Sequence, residues 1–249
     1  MAVLSSSSLR VAIITGSSHG IGAAVAERLA ADGLAVVINY SSGPDAAEAL
    51  VAKIETAGGV ASAVRADVSD PAAVAALFEA AIQTHGGVDV LVNNAGVMKL
   101  ALIAEAEDAL FDQHITVNLK GTFNTLREAS RRMRDGGRIV NFSSSVVGLY
   151  QPTYGIYAAT KAGIEAMTHI LAKEMRGRQI TVNVVAPGPT QTSLFTKGKS
   201  REQIEAIAKM NPFERLGQPV DIANAISFLV GPDGGWVNGQ VLRVNGGMI

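Results

Sequence analysis

The chain has 249 residues, 48% of them hydrophobic and 17% charged, which gives ample material for a core and none of the signature of a disordered chain. The formal net charge is -1 with no basic stripe, which argues against a nucleic-acid partner; the densest basic cluster, Arg131, Arg132 and Arg134, reads as the solvated end of a helix. There is no cysteine, which excludes disulfides, thiolate metal sites and cysteine nucleophiles and is compatible with a cytoplasmic location.

Residues 1–9 are serine-rich without a long apolar core, which predicts a flexible tail rather than a signal peptide. No apolar run approaches the roughly 18–20 residues of a membrane helix. From residue 10 onward, β-branched runs alternate with alanine-rich helical stretches. Strands are predicted at Val11–Thr15, Leu34–Asn39, Val60–Ala66, Val88–Asn93, Arg138–Phe142, Thr181–Ala186 and Val241–Val244. Several are continuous apolar runs, as expected for strands covered on both faces. Helical spacing lies between them; Ile21, Val25 and Leu29 recur every fourth residue in the first. The alternation predicts an α/β fold with a parallel sheet, in one domain over residues 10–249. The stretch from Pro187 to Pro212 breaks the pattern with Thr, Lys, Gly and Pro, and its residues 190–212 are expected to form a mobile lid.

Two motifs carry chemistry. The first strand runs into Thr15-Gly16-Ser17-Ser18-His19-Gly20-Ile21-Gly22, and a helix follows. Glycines permit a tight turn and a close approach to a pyrophosphate, while a helix N-terminus supplies free N–H groups and a favourable dipole. The spacing is G-x-x-x-G-x-G rather than the common G-x-G-x-x-G, so a ligand-free βα turn would look much the same. Tyr157 and Lys161 stand four residues apart on a predicted helix and share a face. A neighbouring ammonium favours the phenolate, which is expected to lower the tyrosine's pKa toward working pH. An exposed polar pair on a helix would carry the same spacing.

Together these motifs resemble the short-chain dehydrogenase/reductase family, from about Leu9 to Gly247. Gly16, Ser18, His19, Gly20, Ile21 and Gly22 match its cofactor loop, and Asp67-Val68 the pair beside the adenine. Asn94, Ala95 and Gly96, in the run Asn93–Gly96, match the turn after the fourth strand, and Asn118 the asparagine of the active site. Ser144, Tyr157 and Lys161 match the catalytic serine, tyrosine and lysine. Pro187, Gly188, Thr190 and Thr192 match the segment at the nicotinamide end. Ser143 and Ser145 adjoin Ser144; the thirteen-residue spacing to Tyr157 favours Ser144, with Ser145 as the alternative. Tyr154, seven residues before Lys161, is expected to line the substrate pocket. One departure is Asn245-Gly246-Gly247, where relatives carry an aspartate before the glycines.

The resemblance implies a Rossmann-type, doubly wound sheet of seven parallel strands. It also implies reduction of a ketone to a secondary alcohol. Tyr157 would act as general acid, with Lys161 tuning it and holding the ribose, Ser144 on the carbonyl oxygen, and Asn118 holding a water that links Lys161 to solvent. The expected cofactor is NADP(H). The family's acidic place at the end of the second strand falls on Tyr40, followed by Ser41 and Ser42, and no carboxylate stands nearer than Asp45. His19 stands where many NADP-using relatives carry arginine. Expected substrates are hydrophobic carbonyls, 3-oxoacyl groups on a carrier protein included, with Arg131, Arg132 and Lys197–Lys199 as its docking candidates. Val146, Gly148, Tyr150, Tyr154 and Leu194 are expected in the pocket. The helices around 102–134 and 157–176 carry more apolar residues than one sheet face needs, and the resemblance, to a family whose members assemble through the equivalent helices, implies a homotetramer with two-fold interfaces. No metal is expected, since the four histidines are scattered. A dinucleotide-binding sensor without turnover is the alternative, and an intact Ser144–Tyr157–Lys161 set speaks against it.

Overall fold

The structure, a computed structural model, describes residues 9–249. The expected tail, residues 1–9, lies outside the described residues apart from Leu9. Seven strands form one sheet: β1 (Val11–Ile14), β2 (Ala35–Tyr40), β3 (Val60–Arg65), β4 (Val90–Asn93), β5 (Arg138–Phe142), β6 (Thr181–Pro187) and β7 (Val241–Val244). Their order is β3-β2-β1-β4-β5-β6-β7, and every pairing is parallel. All seven strands stand where the sequence predicts them, with ends displaced by at most two residues. β1 is completely buried, as its unbroken apolar run requires of a strand covered on both faces.

The connecting helices form the two outer layers. On one face, α1 (Gly20–Ala31), α2 (Asp45–Thr56) and α10 (Pro219–Val230) press Val25, Leu29, Leu50, Ile54, Ile222 and Ile226 against the sheet. On the other, α3 (Pro71–His85), α5 (Gly121–Arg132) and α7 (Gly155–Glu174) contribute Val74, Leu77, Phe78, Leu126 and Leu171. Phe78 is completely buried, and truncation to alanine there would cost about 3–5 kcal/mol through lost transfer energy and the cavity left behind. Asp70 starts α3 by accepting a hydrogen bond from the Ala72 amide, with Pro71 as the first helical residue.

This order fixes where a ligand can enter. After β1 the chain builds β2 and β3 on one side, then crosses back to lay β4 on the other side of β1. The winding reverses between β1 and β4, and the crevice outside the carboxyl edge at that point is the general ligand position of doubly wound sheets. One feature escaped the sequence reading. Between α4 (Asp108–His114) and α5, residues Ile115–Lys120 form a wide π turn, and Asn118 sits in it. The expected lid segment is partly helical, with α8 (Ser193–Thr196) and α9 (Arg201–Ala208); Ser200 and Gln203 cap α9 reciprocally.

Candidate active site

The crevice begins at the loop after β1. Gly16 has φ of 59°, and a Cβ there would lie 2.9 Å from the Ala95 Cα, so the loops after β1 and β4 touch at a distance only glycine permits. Polar side chains brace this contact. Thr15 Oγ1 accepts from the amides of Asn94 and Ala95, both at 3.1 Å, and Asn94 Nδ2 donates to the carbonyls of Thr15 and Gly16. Asn39 Oδ1 accepts from the Gly16 amide at 3.1 Å while its Nδ2 donates to Ala66 O at 3.0 Å. Thr15 and Asn39 were not expected as site residues. Their signal is a polar residue at the end of an otherwise apolar buried strand, which requires a partner.

At the start of α1, His19 occupies the N-cap without a side-chain cap bond, and no acidic residue stands in the first turn. The helix N-terminus is thus left for an external anion. The cleft in front of it, about 1090 Å³ with its space open to solvent, is lined by Gly16, His19, Gly20, Ile21, Ser41, Asp67, Val68, Asn94, Ala95 and Gly96. Thr192 reaches over from the far side, its Cγ2 3.4 Å from where a Gly20 Cβ would stand. Four expected cofactor residues, Gly22, Tyr40, Ser18 and Ser42, line neither this cleft nor the cavity that continues from it. A Cβ on Gly22 would strike Asn94 Nδ2 at 2.6 Å, so Gly22 serves the packing of α1 on the loop. Tyr40 packs on the apolar cluster under α1 and α2, Ser18 is bonded to His19 Nδ1 at 2.9 Å, and Ser42 is exposed in the loop after β2.

The same cleft continues to the ends of β5 and β6. There the three serines part. Ser143 donates to Glu165 at 2.6 Å, and Ser145 donates to Ala186 O at 3.3 Å and accepts from Asn245 Nδ2 at 3.1 Å. Both are buried and committed, and Ser144 between them lines the cavity with Tyr157, its Oγ accepting from the Val146 amide at 3.4 Å. Asn245, the departure from the family pattern, thus fastens the C-terminal segment beneath the serine turn.

Lys161 is buried, donates to Phe142 O at 2.9 Å, and lies 5.7 Å from the centroid of the Tyr157 ring. Burial lowers its pKa to about 8. Tyr157 departs from the sequence expectation: burial pushes its phenol up to about 12, against a lowering contribution from the Ser144 hydroxyl and a further rise from Tyr154. Desolvation of the phenolate dominates, so the resting group is the phenol. Tyr154 stands edge-on to Tyr157 with ring centroids 6.5 Å apart.

Asn118 spends its side chain on Val97, accepting from the amide at 2.8 Å and donating to the carbonyl at 3.0 Å, and also donates to Thr160 Oγ1. It and Lys161 Nζ flank Gly96. One turn earlier, buried His114 donates from Nδ1 to Leu110 O and accepts the Lys99 amide at Nε2, with its ring edge-on to Tyr157 at 6.2 Å. In the sequence His114 is one of four scattered histidines, with no spacing that marks it.

Above Tyr157 lies a cavity of about 1030 Å³ whose wall includes Pro187, Gly188 and Thr190. Val146, Tyr154 and Leu194 line it as expected; Met98, Leu149, Phe195, Ile207, Met210 and Met248 do so without having been foreseen. Lys161 is the only charged side chain on the wall among the described residues. Two expected pocket residues are elsewhere: Tyr150 is 85% exposed at the left-handed end of the short helix α6 (Val146–Leu149), and Gly148 faces Ile249. Arg131 and Arg132 end α5 and pair with Glu128 and Glu79, at the edge of the sheet where β5 begins rather than at the cavity.

These elements fit a dinucleotide. An uncapped helix start and a glycine cradle stand in the middle, Asp67 and Val68 at one end, and at the other a buried ammonium whose one hydrogen bond leaves two donors free among the described residues. A family model described as enoyl-(acyl carrier protein) reductase matches residues 16–249. A short-chain type dehydrogenase/reductase of Picea abies is 48% identical, over 96% of this chain and 92% of its own. The NADPH-dependent aldehyde reductase 2, chloroplastic, of Arabidopsis thaliana is 43% identical over 96% of this chain and 94% of its own. A short-chain dehydrogenase of Burkholderia cenocepacia, solved in complex with NADP, superposes with a TM-score of 0.91 at 36% identity, covering 96% of this chain and 97% of that one. The chain belongs to the short-chain dehydrogenase/reductase family.

Proposed function

We propose that the protein reduces a neutral, hydrophobic aldehyde or ketone to the corresponding alcohol with NADPH. The observation that carries this reading is the Ser144–Tyr157–Lys161 cluster on the floor of an apolar cavity that continues into the glycine-loop cleft. The cofactor, when bound, supplies the hydride. The α1 N-terminus and the glycine loop would hold its pyrophosphate, and the free donors of Lys161 its nicotinamide ribose.

The residues do the rest. Ser144 donates to the carbonyl oxygen and holds it toward Tyr157 while negative charge builds on it. Tyr157, a phenol at working pH, transfers its proton to that oxygen, which completes the alcohol. Lys161, cationic below about pH 8, stabilises the phenolate so formed. Asn118 holds Val97 on the cavity wall and His114 holds the Lys99 amide, and Asn118 and Gly96 border the route by which water, through Lys161, returns a proton to the Tyr157 phenolate. A wall without charged groups beyond Lys161 favours neutral carbonyls over 3-oxoacyl groups on a carrier-protein arm, whose phosphate has no basic partner inside. Steady-state rates with matched neutral ketones, aldehydes and 3-oxoacyl thioesters test this choice. A preference for thioesters would reverse it.

Three further readings belong to the proposal. Residues 190–212 act as a lid, supported by Leu194, Phe195, Ile207 and Met210 facing the cavity; slower proteolysis there on adding NADPH is the expected result. The chain forms a homotetramer with two-fold interfaces. Phe111, Phe123 and Ile170 are exposed on α4, α5 and α7, and a second apolar set, Phe228, Trp236 and Leu242, is exposed near β7. Light scattering at micromolar concentration should give four chains, and a monomer would rule it out. No helix among the described residues is long and apolar enough to cross a membrane. The lack of cysteine favours the cytoplasm, which cell fractionation would test.

A further inference from the structure

The loop after β2 lacks the arginine that commonly reads a 2′-phosphate, and the exposed His19 turns its Nδ1 to Ser18. The structure brings a cation to this place from another strand. Arg65 ends β3 in register with Tyr40, the last residue of β2. Its Nε donates to the carbonyl of Ser41 at 3.2 Å, so the guanidinium is laid against the turn Ser41–Ser42 rather than left to swing. It makes no ion pair among the described residues, and both terminal nitrogens are free there of any hydrogen bond. Ser41 itself lines the cleft, together with His19 and Asp67. The Asp67 carboxylate accepts from the Ser69 amide at 2.9 Å within its own turn, and Asp45 stands in the first turn of α2 without an ion pair to Arg65.

We infer that Arg65 is the residue that selects the phosphorylated cofactor, by presenting its two free terminal nitrogens to the 2′-phosphate beside Ser41. The inference rests on the NADPH reading above and assigns its specificity to one side chain. A guanidinium suits this task because a planar fork can donate two parallel hydrogen bonds to phosphate, and a fixed Nε means less freedom is lost on binding. The arginine is hidden in the sequence because it stands twenty-four residues after Ser41, at the end of a different strand. Only the parallel register of β2 and β3 brings the two together.

The test is calorimetric titration of the purified protein with adenosine 2′,5′-bisphosphate and with AMP, in wild type, Arg65→Gln and Arg65→Lys. Wild type should bind the bisphosphate about tenfold or more tightly than AMP, as expected when a charge-assisted pair is gained. Arg65→Gln should lose most of that difference with AMP affinity unchanged, and Arg65→Lys should fall between. Because Arg65 is exposed, the variants should keep the wild-type melting temperature. If wild type discriminates and Arg65→Gln discriminates equally, Arg65 is not the reader, while the NADPH reading stands. If Arg65→Gln weakens both nucleotides alike, the residue supports only the Ser41 turn and the inference is overturned. A wild type that binds both nucleotides equally would overturn the NADPH reading and this inference with it.

Discussion

The two halves of the crevice are built by different physics. On the cofactor side, buried or half-buried polar side chains each hold a named backbone group: Thr15 the amides of Asn94 and Ala95, Asn39 the amide of Gly16, Asn94 the carbonyls of Thr15 and Gly16. A buried polar group left without its partner costs about 1–3 kcal/mol, so each identity is dictated by its neighbour. On the substrate side the wall is Met98, Leu149, Leu194, Phe195, Ile207, Met210 and Met248, apolar groups that touch without directional bonds. Three methionines make this wall adaptable, since a flexible thioether fills irregular space and yields to a new shape. The contrast teaches that one half can be exact about a single cofactor while the other accepts a range of carbonyl compounds.

The comparison can be broken where the two halves meet. Tyr157→Phe keeps the ring and its contacts with His114 and Tyr154 but removes the transferred proton. Turnover should fall about a hundredfold or more, the scale of lost general acid catalysis, while NADPH affinity stays within twofold of wild type. Comparable turnover in the variant would mean that another group supplies the proton, and Tyr154 would be the next to test.

The pH profile is the next largest effect. Lys161 has its pKa lowered to about 8 by burial, so its cation is present below that pH and lost as pH rises through it. Tyr157, raised to about 12, remains a phenol across the same range. The reductive kcat/KM should therefore be level near neutrality and decline above about pH 8. A profile still level at pH 10 would show that the lysine's charge is not needed for reduction.

Two changes sharpen the cofactor side. Asn39→Leu keeps the approximate volume and removes the brace between the Gly16 amide and Ala66. NADPH binding should weaken by about tenfold and the melting temperature fall, as expected for breaking buried hydrogen bonds, with the KM for the carbonyl compound little altered. Tyr40→Asp sets a carboxylate at the end of β2. The ratio of kcat/KM for NADPH over NADH should move toward NADH, and an unchanged ratio would show that this strand end does not read the 2′ position. On the substrate side, Met210→Ala should change the KM for a bulky ketone only a few-fold and leave NADPH affinity untouched, because an adaptable wall closes over the loss. A tenfold change in NADPH affinity from that variant would erase the division between the halves.

The same division explains what the sequence disclosed. The sheet was legible because buried parallel strands must be continuous apolar runs, and Val11–Ile14 and Val90–Asn93 hardly admit another reading. The glycine loop and the Tyr157–Lys161 pair were legible because their chemistry demands fixed spacing along one element. Asn39 and His114 were hidden, since a lone polar residue acquires its meaning from a partner that only the fold supplies. The cavity wall was hardest. Met210 and Met248 reach it from distant segments, and apolar packing leaves no spacing rule to read. The expected lowering of the Tyr157 pKa failed for a related reason: helix spacing reports the neighbouring lysine, but the burial that raises the phenol is a property of the whole site.

The central claim is that the phenol of Tyr157 completes an NADPH-dependent reduction of neutral carbonyl compounds. Its most direct test follows NADPH consumption and alcohol formation together, over a panel of hydrophobic ketones, aldehydes and 3-oxoacyl thioesters, with wild type and Tyr157→Phe side by side. One alcohol formed per NADPH consumed, fastest with neutral hydrophobic carbonyls and nearly abolished in the variant, is the predicted result. No turnover of any carbonyl compound by wild type, with NADPH still bound, would contradict the account and point to a dinucleotide sensor instead.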